Sequence, residues 1–71
     1  MALDYARASH LYERACEGGN PGGCDGLAEL YRTGSGVTKN NPHALELYRQ
    51  GCDLGFPPAC EHATKYGPKA Q

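Results

Sequence analysis

Cys16, Cys24, Cys52 and Cys60 fall into two C-x7-C pairs, and corresponding members of the pairs sit 36 residues apart. The register extends beyond cysteine. Sliding the chain by that period also matches Ala8 to Ala44, Leu11 to Leu47, Tyr12 to Tyr48, Gly19 to Gly55 and Pro21 to Pro57. Acidic residues follow each cysteine in both copies, Glu17 with Asp53 and Asp25 with Glu61. A fixed period of roughly 20 to 50 residues is the mark of a solenoid or array, whose units bury their apolar faces on one another.

A chain of 71 residues makes a single domain, 1–71, and hides so little surface that it needs a staple or a partner to fold firmly. The cysteines are the available staple. Seven Lys+Arg stand against eight Asp+Glu with no long run of like charge, so neither nucleic acid nor a membrane surface is indicated as a partner. No stretch has signal-peptide character or transmembrane length. Paired cysteines nevertheless favour an oxidising setting, periplasmic, secreted or like an intermembrane space, whereas free thiols would suit the cytoplasm. A longer exported array containing these residues reconciles the two observations.

Ala8, Leu11, Tyr12, Ala15 and Cys16 follow the spacing of one helical face, with His10, Glu13 and Glu17 opposite. Helices are predicted over 4–17, closed by Gly18-Gly19, and 21–33, opened by Asn20 as cap and Pro21 in the first turn. The second aims Cys24, Leu27, Ala28 and Tyr31 at its neighbour and stops at Gly34. A linker follows, with Val37 as a lone apolar anchor. Asn41-Pro42 repeats the cap-then-proline start and opens a helix over 42–54 with Ala44, Leu47, Tyr48, Gly51 and Cys52 inward. A shorter helix over 57–66 ends at Tyr66-Gly67-Pro68. Alternation of β-branched residues is absent, so the expected class is all-α: four antiparallel helices in two stacked αα-hairpins, 4–38 and a truncated 40–67.

These residues resemble a known family. Ala8-x-x-Leu11-Tyr12-x-x-Ala15-Cys16 with Gly18-Gly19, then Gly23-Cys24-x-x-Leu27-Ala28-x-Leu30-Tyr31-x-x-Gly34-x-Gly36-Val37, is similar to the Sel-one-like repeat, a relative of the tetratricopeptide repeat. The C-x7-C pairs resemble its cysteine-rich, Hcp-type bacterial branch. The similarity runs from about Tyr5 to Tyr66, and the second copy lacks the Leu-Tyr-x-x-Gly-x-Gly-Val ending. The resemblance implies αα-hairpins stacked into a right-handed superhelix whose concave face binds a protein or peptide.

Four cysteines allow three pairings. A bridge inside each hairpin satisfies both copies identically, which favours Cys16–Cys24 and Cys52–Cys60. Zinc is the rival use of the same residues, through Cys60-x-His62, but zinc ligands are usually spaced C-x2-4-C, and Gly26 stands where the second copy has His62. No cofactor or metal is therefore expected.

His10 and His43 read as solvated. A Cys–His dyad of His10 with Cys16 would need residues about 240° apart on a helix to meet. Some Hcp-type proteins are described as β-lactam-binding or weakly hydrolysing, which makes such an enzyme the rival function. Its serine chemistry calls for Ser-x-x-Lys, whereas Ser9 is followed at that spacing by Tyr12 and Ser35 by Thr38, so no catalytic residue is expected. Haem attachment lacks its C-x-x-C-H motif. Tyr12, Tyr31, Tyr48 and Tyr66 are expected in the core and Tyr5 on the surface.

If the first helix of each hairpin lines the concave face, as the resemblance implies, a partner meets His10, Glu13 and Arg14 in one copy and Glu46, Arg49 and Gln50 in the other. Their mixed signs suit a polar peptide or protein surface. The expected function is a disulfide-stapled interaction scaffold. A third reading is a fragment of a longer array, with self-association through an uncapped C-terminal end at Phe56, Pro57 and Pro58.

Overall fold

The computed structural model describes residues 4–67; the remainder of the domain expected over 1–71, Pro68 included, lies outside the described residues. Four helices follow in order: α1 (Tyr5–Glu17), α2 (Pro21–Thr33), α3 (Asn41–Asp53) and α4 (Pro57–Tyr66). No strand occurs among the described residues.

Local chemistry sets the helix starts. Asp4 accepts a hydrogen bond from the Arg7 N–H, Asn20 from the Gly22 N–H and Asn40 from the His43 N–H, each satisfying a donor that the first helical turn leaves open. The cap of α3 is thus Asn40 rather than the expected Asn41, which is the first helical residue. Pro42 still falls in the first turn, where its missing N–H costs nothing. Phe56 stands at the cap position of α4, the repeat equivalent of Asn20, and supplies no side-chain cap.

Three-residue turns fold α1 back on α2 and α3 back on α4. The left-handed residue in each turn is Gly19 (φ 90°) and its equivalent Gly55 (φ 92°). Gly18 is not the residue that needs this freedom, and Leu54 fills its place in the second copy at φ −81°. Disulfides Cys16–Cys24 and Cys52–Cys60 clamp the two turns, each with a Cα–Cα distance of 4.5 Å. The linker after α2 doubles back over the start of α1. Gly36 packs so closely there that a Cβ would come within 2.7 Å of the Tyr5 Cβ and closer still to the Tyr5 and Ala6 backbone.

The core lies between the hairpins rather than within either. Cys16, Cys24, Leu27, Ala28, Ala44, Leu47 and Tyr48 form one buried cluster, with Tyr31 and Ala63 packed against it. Helix α2 is central, packing on α1 through one face and on α3 through another, while α4 closes over α3. Equivalent residues therefore meet opposite fates. Leu47 and Tyr48 are 6% and 1% exposed beneath α2, whereas Leu11 and Tyr12 on α1 are 59% and 39% exposed. The expectation that Tyr12 lies in the core is corrected, and Leu11 beside it is exposed too, because the first (A-type) helix of a hairpin is buried by the second (B-type) helix of the hairpin before it and the described residues place none on α1. Tyr66 also departs from its expected core position and is exposed, as is Tyr5, which was expected there.

Candidate interaction site

His10, Glu13 and Arg14 on α1 and Glu46, Arg49 and Gln50 on α3 are all exposed. The 36-residue register makes them three equivalent pairs on two equivalent helices: His10 with Glu46, Glu13 with Arg49, and Arg14 with Gln50. Each trio rides on a helix fixed at its start by Asp4 or Asn40 and tied at its end by a disulfide. Glu46 lies 3.6 Å from His43 Nδ1, one turn away. His43 is half-buried rather than simply solvated, its ring edge-on to Tyr31 at 4.5 Å between centroids.

A polar seam joins the second hairpin to the first. His62 Nδ1 lies 2.8 Å from Asp25 Oδ1, linking α4 to α2. Arg32 Nε donates to the Tyr48 hydroxyl at 3.2 Å, its guanidinium lies 4.2 Å from the Tyr66 ring centroid, and it pairs with Glu29 at 3.6 Å. The hydrogen bond to Tyr48 is the main cause that holds Arg32 above its ordinary pKa. Burial pushes the Tyr48 phenol up, and the Arg32 bond opposes that shift without cancelling it. Burial thus favours the neutral phenol of Tyr48.

This seam escaped sequence reading. The signal was present in the departures from the repeat: His62 replaces Gly26, Tyr66 replaces Leu30, and both new side chains meet charged residues of α2. Of the Cys60-x-His62 arrangement, Cys60 is bonded to Cys52 and His62 turns to Asp25. Ser9 is buried, and its hydroxyl donates to the Ala6 carbonyl at 2.7 Å. At the C-terminal end, Glu61, Thr64 and Lys65 are exposed on α4, with Leu54 and Tyr66 the exposed large apolar residues nearby. Tyr5, Leu11 and Tyr12 form the larger apolar exposure, on α1 at the other end.

Comparison with known proteins is consistent with this architecture. The Sel1 repeat pattern matches residues 2–20 and 22–56. Cytochrome c oxidase assembly factor 7A of Xenopus laevis and cytochrome c oxidase assembly factor 7 of Xenopus tropicalis are each 37% identical over 51 residues, which is 72% of this chain and 22% of the relative. The chain therefore spans about a fifth of the length of these relatives. No solved structure matches significantly.

Proposed function

The chain belongs to the Sel1 repeat family, and from that premise we propose that it is a non-enzymatic protein-interaction module whose partner is read by the polar residues of its two A-type helices, α1 and α3. The carrying observation is the register of His10, Glu13 and Arg14 with Glu46, Arg49 and Gln50, exposed on helices that the caps and disulfides fix in place. Preset side chains lose less freedom on binding, so more of each contact survives as affinity. Acid, base and amide alternate along the pair, which fits a mixed polar peptide or protein segment on a concave face. Relatives named as assembly factors support the same general role, since assembly proceeds through protein contacts.

The units that present this surface are the repeats 4–38 and 40–67. Their disulfides support an oxidising compartment, and together with the C-x7-C spacing they support the cysteine-rich, Hcp-type branch. The β-lactam reading gains no support from Ser9, whose hydroxyl is spent on the Ala6 carbonyl.

The test is site-specific photo-crosslinking from Glu13 and from Arg49. Capture of one and the same protein at both positions, with none from Glu61 on α4, supports the reading. Capture from Glu61 alone, or no adduct at any of the three, contradicts it.

A further inference from the structure

The two bridges occupy the same turn of their hairpins, yet they differ in cover. Cys24 is fully buried and Cys16 is 5% exposed, whereas Cys52 and Cys60 are each partly exposed. The second hairpin supplies the cover over the first bridge. Gly51 brings the backbone of α3 against the start of α2, where a Cβ on it would stand 3.2 Å from the Pro21 carbonyl oxygen and 3.5 Å from the Cys24 Cβ. Ala44, Leu47 and Tyr48 of the same helix complete the buried cluster that holds Cys16 and Cys24. Further chain at either end would add cover to this bridge and remove none.

Thiol–disulfide exchange requires a thiolate to reach one of the sulfurs, so burial of this kind blocks it. The block is removable. Each bridge lies inside one hairpin, and the linker over 34–40 is the backbone connection between the hairpins, so α3 and α4 can lift from α2 without breaking a covalent bond. What must give way is the apolar cluster together with the seam: the Arg32 bond to Tyr48 between α2 and α3, and the His62–Asp25 contact between α4 and α2.

We propose that the second hairpin is a lid over Cys16–Cys24, which couples the redox state of this bridge to docking of α3 and α4 on α2. A dithiol reductant then reaches Cys16–Cys24 only in the undocked chain. One thiolate of the dithiol attacks a bridge sulfur, the S–S bond breaks and the other cysteine leaves as a thiolate. The second thiolate of the reductant attacks the mixed disulfide and releases the first cysteine, so two electrons pass to the bridge and the reductant becomes a cyclic disulfide. The coupling makes no use of the polar residues of α1 and α3 as a partner surface, and it stands or falls apart from the interaction reading.

The experiment holds the oxidised full chain in dithiothreitol under folding conditions, traps thiols by alkylation at intervals and follows each cysteine pair by mass spectrometry of fragments. Chains with only Cys52–Cys60 open should accumulate, and that step should be at least about tenfold faster than opening of Cys16–Cys24, because a covered bridge reacts only for the fraction of time it is uncovered. Arg32→Ala, a change remote from both bridges, should speed opening of Cys16–Cys24 about fivefold, the scale of one lost hydrogen bond between helices, and leave the Cys52–Cys60 step and the helix content unchanged. Hydrogen exchange on the singly reduced chain should show α3 amides opening more often than α1 amides. Opening of Cys16–Cys24 first or at an equal rate, or indifference of its rate to Arg32→Ala, overturns the proposal. So does exchange of α1 and α3 in step, because the bridge is then released by unfolding of the whole chain.

Discussion

Ala15 and Gly23 share the space of a single methyl group: a Cβ on Gly23 would stand 2.6 Å from the Ala15 Cβ. The second hairpin makes the opposite assignment. Gly51 stands at the position of Ala15 and Ala59 at that of Gly23, and a Cβ on Gly51 would come 3.0 Å from the Ala59 Cβ. Each hairpin crossing thus carries one methyl, on α1 in the first copy and on α4 in the second.

Gly23→Ala should therefore destabilise the fold by about 1–3 kcal/mol through overpacking, although alanine is the better helix former. Adding Ala15→Gly should recover only part of the loss, because it removes the methyl at 2.6 Å while the Cys16 amide nitrogen and the Tyr12 carbonyl oxygen remain 2.9 Å from the new Cβ. Denaturant melts of the single and double variants measure this. A neutral Gly23→Ala, or a double variant weaker than the single one by the full cost of a helical glycine, would show that the crossing does not limit packing.

Leu47→Ala should cost about 2–5 kcal/mol, the range for a buried leucine, while Leu11→Ala at the equivalent position should stay within about 0.5 kcal/mol. Equal losses in thermal melts would mean that α1 is covered in solution as α3 is.

Closing each nine-residue loop contributes on the order of 2.5 kcal/mol in the chain-entropy account, a large share of a stability that begins near 5 kcal/mol in small domains. Reductant should lower the melting midpoint substantially and weaken display of the A-helix residues together with it. An unchanged midpoint in protein verified as oxidised at the start would remove the disulfides from the account.

Tyr48 carries a pH prediction. Its folded pKa is raised by burial, so the folded state holds the phenolic proton at pH values where the unfolded chain has begun to release it. The contribution is fully present below the ordinary tyrosine value of about 10 and is lost as pH rises through the raised value. Urea melts between about pH 9 and 11 should show falling stability, with a shallower fall in Tyr48→Phe. That variant should lose about 1 kcal/mol near neutrality, the Arg32 bond being the group removed. Parallel pH profiles for both proteins would contradict the assignment.

The repeat made most of the fold legible. Cysteine, glycine and proline recur because each has a backbone or covalent task, so Gly19 with Gly55 and Pro21 with Pro57 mark turns and helix starts directly. Periodicity also located the apolar stripe of α1, but not whether anything covered it. Leu11 and Leu47 are the same letter in the same local pattern, and only the neighbouring helix distinguishes them. The Asp25–His62 and Arg32–Tyr48 contacts were illegible for a related reason: each joins residues from different repeats, whereas a register compares a residue with its equivalent rather than with its neighbour. Helical spacing marked His10, Glu13 and Arg14 with Glu46, Arg49 and Gln50 as exposed, whereas their choice as a partner surface came from the family resemblance.

The most direct measurement of the central claim is the affinity of the protein captured from Glu13 and Arg49 for the wild-type chain and for the Arg14→Glu, Arg49→Glu variant, with helix content and melting midpoint checked in both. A loss of at least about tenfold in affinity with an unchanged midpoint is predicted, since both positions are exposed and reversing charges at an interface replaces attraction by repulsion. Equal affinity for the two proteins would contradict the assignment of the A-helix surface as the site of recognition.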